Sequence, residues 1–126
     1  GQRLPVFASD FGPFGVMICA DRRWPETVRT LALKGARVIF NPTYGMHDER
    51  NLYIVRTRSY ESEIFIAFTH PAQSLVTAPN GDILCNETSE EMGYSISEID
   101  LSQVDALRGS PGGSHLTSRR PDLYVR

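Results

Sequence analysis

The sequence is short of several things, and each shortage closes off a class of function. It has two cysteines in 126 residues, Cys19 and Cys85, too few for a disulfide scaffold and without the Cys-x-x-Cys or His-x-x-x-His spacing of a zinc site. It has no excess of positive charge. Thirteen Lys and Arg stand against 15 Asp and Glu, a formal net charge of −2, so nothing marks it as a binder of nucleic acid or of an anionic membrane surface. No run of about 18 apolar residues offers to span a bilayer, and the first residues lack the apolar core of a signal peptide. There is no internal repeat and no low-complexity tract. Asn80-Gly81 and Gly112-Gly113 have the chemistry of turns and lack the phosphate-loop pattern. These shortages leave one domain of ordinary size in a reducing compartment, with a cytoplasmic setting as the expectation.

What is present is an alternation of apolar strand and amphipathic helix, arranged around Phe14 to Glu26. There the β-favouring Val16, Met17 and Ile18 run into Cys19, charged residues follow, and Pro25 suits the first position of a helix. Cys19 is thus expected at a strand-to-helix turn. The next helix's N–H groups and positive dipole end would lower its pKa there. Upstream, 5–8 reads as a short strand pairing with 14–19 through the turn Ser9 to Pro13. A chain opening inside a hairpin reads as the later part of a larger domain. Downstream, Val28, Leu31 and Ala32 give one helical face that Gly35 ends, and a strand over 37–40 stops at Asn41-Pro42. Strand, helix and strand predict a right-handed βαβ unit with Cys19 and Asn41 at one edge of a parallel sheet.

A second, less cleanly amphipathic helix is expected up to about Glu63, capped by His47 or Asp48. Its polar residues on two stripes read as a solvated flank, a subunit contact or the wall of a site. The apolar run 64–69 reads as a strand buried on both faces, which brings His70 to the edge holding Cys19 and Asn41. After Pro71 the pattern turns antiparallel, with a hairpin of 74–77 and 83–86 about Asn80-Gly81. A half-exposed strand over 93–99 and a short helix over 100–107 capped by Asp100 or Ser102 follow. Residues 109–126 read as an extended tail that packs only against something else.

Chemistry concentrates at the one sheet edge. A thiol at a strand end is commonly inert and buried, but the turn and its flanking charges make Cys19 a candidate nucleophile. Cys85, in a hairpin arm, keeps the inert reading. His47 and His70 are candidate bases for a self-contained Cys–His enzyme, and His115 is expected simply to be exposed. Arg22 and Arg23 offer guanidinium groups to a substrate carboxylate, the alternative being that they pin the turn by pairing with Asp21 or Glu26. Asn41 joins them as a candidate substrate contact. No metal ligands and no cofactor are expected.

The run from Gly15 through Cys19 to Asp21-Arg22-Arg23-Trp24-Pro25-Glu26, then Lys34-Gly35-Ala36 and Val38-Ile39-Phe40-Asn41-Pro42, resembles the nucleophile region of the nitrilase superfamily of carbon–nitrogen hydrolases. The likeness continues through Arg58-Ser59-Tyr60-Glu61 and Pro79-Asn80-Gly81 to Arg119-Arg120-Pro121-Asp122-Leu123-Tyr124. Its cysteine motif is most similar to the N-carbamoyl-amino-acid amidohydrolases. The resemblance implies an α/β fold, half of an αββα sandwich in which βαβ units lead to a β-hairpin region and a C-terminal tail. Residues 1–126 would form the C-terminal part of one domain, with 1–108 as core and 109–126 as tail.

It further implies hydrolysis of a small amide, ureido compound or nitrile through a cysteine thioester, in a protein that forms a homo-oligomer. Of the family's glutamate base, lysine and cysteine only Cys19 maps here. The other two would precede Gly1, so these residues alone are expected to turn over little. The backbone N–H of Ala20 would join that lysine in an oxyanion hole. Two positions depart from the family pattern: Ala20 stands where the carbamoyl hydrolases usually have asparagine, and His70 where the third strand commonly ends in asparagine. Two other readings remain beside this one, a non-catalytic homologue with an inert Cys19 and the Cys–His hydrolase.

Overall fold

The alternation of strand and helix is realised as a six-stranded sheet with its helices packed mainly on one face. A computed structural model describes residues 1–89, 91 and 93–124. The strands are β1 (Val6–Phe7), β2 (Phe14–Val16), β3 (Val38–Pro42), β4 (Phe65–His70), β5 (Gln73–Thr77) and β6 (Ile83–Thr88), side by side in chain order. β2, β3 and β4 are parallel, so their carboxyl ends share one edge, and the remaining pairs are antiparallel hairpins. The expected βαβ unit and both hairpins are therefore present.

The helix between β2 and β3, α1 (Pro25–Leu33), starts with Pro25 in its first turn. It ends where Gly35, at φ +96°, lets Ala36 N–H reach the Leu31 carbonyl at 3.1 Å. Its Val28, Leu31 and Ala32 are buried against Met17, Ile39 and Ile66. Gly15 permits that approach, since a Cβ there would sit 3.1 Å from Leu31 carbons. Between β3 and β4 runs α2 (Arg50–Ser62), whose first turn donates Arg50 N–H to Asp48 Oδ1 at 2.9 Å. It ends on Glu63 in the left-handed region at φ 49°. Its polar stripes are occupied inside the molecule: Ser59 shares a hydrogen bond with Thr77, and Arg56 Nε donates to the Gly81 carbonyl at 2.7 Å.

The opposite sheet face is covered only in part. Val38, Phe65 and Ala78 meet Val104 of the last helix, α3 (Ser102–Arg108), whose Ser102 N–H donates to Asp100 Oδ1 at 2.9 Å. Phe40, two residues beyond Val38 on that face, is exposed, as are Phe7 and Phe11.

Two expectations fail here. Residues 93–99 form no strand. Tyr94 and Ile96 lie 89% and 87% exposed, and only Ile99 of that stretch packs on a buried cluster. Its alternation survives as an exposure pattern with too little apolar surface to hold it on the sheet edge. Nor does the tail pack only elsewhere. Ser114 is buried and Leu116 joins the main core. His115 is exposed, as expected, and it also donates its backbone N–H to Glu63 Oε1 at 2.8 Å and has Nδ1 2.9 Å from the Tyr60 carbonyl. The last two residues of the expected tail lie outside the described residues. None of the described helices is long and apolar enough to cross a membrane.

Candidate active site

Cys19, Asn41 and His70 follow or end the three parallel strands and meet at their common carboxyl edge. The link from β2 to α1 is not one turn. A 3-10 segment, Cys19–Arg23, comes first, and Trp24 separates it from α1. It is closed by a reciprocal pair, Ile18 N–H to Asp21 Oδ2 at 2.9 Å and Asp21 N–H to the Ile18 carbonyl at 3.0 Å. At its far end Arg58 of α2 donates to the carbonyls of Arg22 and Arg23, at 3.3 and 3.0 Å. Held from both sides, Cys19 adopts φ 49°, a left-handed conformation uncommon for a residue with a Cβ. Such outliers persist where the surroundings over-determine them, and they gather at functional sites.

Cys19 is held below the ordinary thiol value first by the backbone N–H of Gly45, then by that of Tyr44, and with a smaller contribution from Arg22. Both amides belong to the loop between β3 and α2, which crosses over the edge. That loop is shaped by a second left-handed residue, Met46 at φ 68°. It is gripped by a buried pair, Arg22 and Asn51. Arg22 is 1% exposed. Its Nε and Nη2 donate to Asn51 Oδ1 at 3.1 and 2.7 Å, Nη2 also reaches the Gly45 carbonyl at 3.2 Å, and Nη1 donates to the Cys19 carbonyl. Asn51 Nδ2 donates onward to the Met46 carbonyl. The guanidinium lies 5.5 Å above the Phe68 ring.

Arg22, read from the sequence as a substrate cation or as the partner of a nearby carboxylate, is neither. It turns inward and spends its donors on three backbone and side-chain oxygens. Arg23 is exposed, with Nη2 3.9 Å from Met46 Sδ. Asn41 is buried, donates Nδ2 to the Met17 carbonyl at 3.0 Å, and leaves Oδ1 without a hydrogen bond among the described residues. Ala20 is exposed next to Cys19.

His47 and His70 are brought together, with ring centroids 4.1 Å apart and edge-on. Among the described residues neither ring makes a hydrogen bond to Cys19. They line a cavity of about 400 Å³ with Asn51, Leu52, Gln73 and Asn86, and Cys19 is not part of its wall. Cys85 Sγ donates to Ser95 Oγ at 3.2 Å in the hairpin, away from these residues. No cluster of three or more metal-ligating side chains occurs among the described residues.

A lowered thiol has a direct consequence for reactivity with pH. Thiolate, the attacking form, persists below the pH at which a free thiol, with a pKa near 8.5, would be half ionised. Alkylation of Cys19 by limiting iodoacetamide, followed by intact mass and peptide mapping, is expected to have its midpoint below that of Cys85. Equal midpoints would mean that the Tyr44 and Gly45 amides do not reach the sulfur in solution.

The sequence model of the family described as "Carbon-nitrogen hydrolase" matches residues 1–109. A nitrilase of Pyrococcus abyssi is 35% identical over 96% of this chain and 50% of its own length. The N-carbamoylputrescine amidase of Arabidopsis thaliana is 27% identical over 94% of this chain and 48% of its own. Among solved structures, a carbon-nitrogen hydrolase from Helicobacter pylori G27 superposes with a TM-score of 0.83 at 22% identity, over 98% of this chain and 52% of that one. A variant of the amidase from Nesterenkonia sp. AN1, with acrylamide added at its active-site cysteine, gives a TM-score of 0.79 at 22% identity, over 98% and 48%. The chain thus spans about half the length of the relatives it matches.

Proposed function

Because this chain belongs to the carbon-nitrogen hydrolase family, we propose that the protein carrying it hydrolyses the carbon–nitrogen bond of a small amide through Cys19. The observation that supports this most is Cys19 itself, set in a left-handed turn at the carboxyl edge of the parallel strands, with its thiol pKa lowered by the backbone of Gly45 and Tyr44. The thiolate adds to the carbonyl carbon and the π electrons move to oxygen. The C–N bond then breaks and the amine leaves with the proton that the thiol released on ionising, giving a thioester. Water adds to the thioester, the acid departs, and the thiol is restored.

The N–H of Ala20 is the proposed donor to the oxyanion. It stands among the first amides of the 3-10 segment, which have no partner within the segment. Arg23 and Asn41 are the proposed substrate contacts, Arg23 for an anionic group and Asn41 through its unpaired Oδ1. The base and lysine implied by the resemblance have no counterpart among these residues. A homo-oligomer in a cytoplasmic setting belongs to the same proposal.

The test is a panel of aliphatic amides, N-carbamoyl amino acids and nitriles, read by ammonia release and by intact mass after acid quench. Amides are expected to lead, since Ala20 lacks the side-chain amide usual beside the nucleophile in carbamoyl hydrolases. The expected adduct is an acyl group on Cys19. Failure of all three classes, or an adduct confined to Cys85, would support a non-catalytic homologue instead.

A further inference from the structure

Pro42 ends β3, a strand with neighbours on both sides, where a proline removes a ladder hydrogen bond and is seldom found. The bond it removes can be identified. β2 and β3 pair in parallel with Val16 opposite Phe40, and Met17 N–H donates to the Phe40 carbonyl at 3.0 Å. In a parallel ladder every second residue of a strand bonds the neighbouring strand through both its N–H and its carbonyl, so the next partner of the Met17 carbonyl is the N–H of residue 42. Proline has none. The donor comes instead from the side chain before it: Asn41 Nδ2 donates to the Met17 carbonyl at 3.0 Å. Met17 and Asn41 are each 1% exposed, so without that amide the carbonyl would be buried with no donor among the described residues.

The peptide unit held in this way leads directly into the turn of Cys19. Its carbonyl belongs to Met17 and its N–H to Ile18, which donates to Asp21 Oδ2 at 2.9 Å. The plane is thus gripped from both ends, by β3 on one side and by the 3-10 segment on the other, while the Met17 side chain is anchored in the main core. Cys19 follows Ile18 at φ 49°. A rotation of the Met17–Ile18 plane would swing the thiol, because a planar peptide carries the atoms beyond it as a rigid lever. The same bond sets which way the Asn41 amide points, since an oxygen in place of Nδ2 would face the Met17 oxygen. Oδ1 is left at the other end of the amide, unpartnered among the described residues.

We propose that Asn41 is a positioning residue: its Nδ2–H supplies the strand hydrogen bond that Pro42 cannot make, and so fixes the Met17–Ile18 peptide that aims Cys19. The proposal rests on the reading of Cys19 as the nucleophile. It uses the opposite end of the amide from the substrate contact assigned to Oδ1, so the two roles can be told apart. It also explains how a strand between two others keeps a proline at its end.

The missing N–H can be put back, which supplies the test, made in the full-length protein that contains this chain. Asn41→Val leaves a good strand former at the site and removes the donor. Pro42→Ala, added to it, returns a backbone N–H to the Met17 carbonyl. The readouts are kcat and KM with the best amide of the panel and the rate of Cys19 alkylation at neutral pH, each variant being checked for folding by its thermal midpoint. Asn41→Val is expected to lower kcat about ten- to hundredfold and to slow alkylation, and the double variant to bring kcat back to within about threefold of the unmutated protein. KM, which carries any loss of the Oδ1 contact, is not expected to recover. A kcat that stays low in the folded double variant, or one that Asn41→Val leaves unchanged, overturns the proposal. The first would assign Asn41 to substrate or packing alone, the second to stability alone. Should the variants not fold, a crystal structure of the unmutated protein decides: Asn41 Nδ2 within about 3.2 Å of the Met17 carbonyl supports the proposal and any other partner for Nδ2 overturns it. Should Cys19 not be the nucleophile, turnover would survive Cys19→Ser whatever the double variant does, which separates that failure from this one.

Discussion

Cys19→Ser is expected to lower kcat/KM by at least about a thousandfold while leaving stability within about 0.5 kcal/mol. The surroundings of Cys19 are built to favour an anion on sulfur: two backbone amides and one buried guanidinium act on it. Those groups favour thiolate over thiol. The same groups leave an alcohol, many pKa units higher, un-ionised. Serine fits the site otherwise, because it differs by one atom, the side chain is only partly buried, and the left-handed backbone disfavours both residues alike. Steady-state kinetics with an active amide, beside a thermal melt, separates loss of chemistry from loss of fold. Activity within tenfold of the unmutated protein would withdraw Cys19 as the nucleophile. Cys85→Ser is the matched control, since Cys85 lies in β6 with its thiol on Ser95.

The parallel edge was legible in the sequence because it rests on local signals. Pro25 as a helix start, Gly35 as a helix stop, and the apolar runs before Cys19, Asn41 and His70 each follow from short-range sterics and periodicity. Those signals suffice to put three chemistry-bearing residues at one edge. The source of thiol activation was not legible. It lies in the amides of Tyr44 and Gly45, 25 and more residues away, and backbone N–H groups leave no trace in residue identity. Asn51 was missed for a related reason. On a helix with polar residues on two stripes, nothing in the spacing distinguishes a solvated amide from one that clasps Arg22. Arg22 itself was misread because a charged residue beside a nucleophile suggests a substrate contact, and only burial shows the donors turned inward. The segment 93–99 failed in the opposite sense: its alternation was present, but Ser95 and Ser97 bring almost no apolar surface to an edge whose neighbour β6 is itself largely exposed.

Arg22→Met is expected to cost about 2–4 kcal/mol and to raise the pKa of the Cys19 thiol. Arg22 joins three pieces of chain that do not otherwise share a hydrogen-bond centre: the 3-10 segment at the Cys19 carbonyl, the loop at the Gly45 carbonyl and α2 at Asn51 Oδ1. Removing the guanidinium leaves buried Asn51 Oδ1 and two part-buried carbonyls without this donor, and each such loss in a buried site typically costs about 1–3 kcal/mol. Part of this is offset, because the cation has no carboxylate among its bonded partners and its burial is itself unfavourable. The net loss therefore falls below the simple sum. The loop would also relax, carrying the Tyr44 and Gly45 amides off the sulfur, so the alkylation midpoint should rise together with the fall in denaturation midpoint. Arg22→Lys separates charge from shape. It restores a cation near the thiol but lacks the planar fork that serves Asn51 and two carbonyls at once. It should recover part of the thiol shift and little of the stability. If Arg22→Met instead keeps both its denaturation midpoint and its alkylation midpoint, the loop is held by other contacts. Arg22 would then have to be reconsidered as the substrate cation that its place beside Cys19 first suggested.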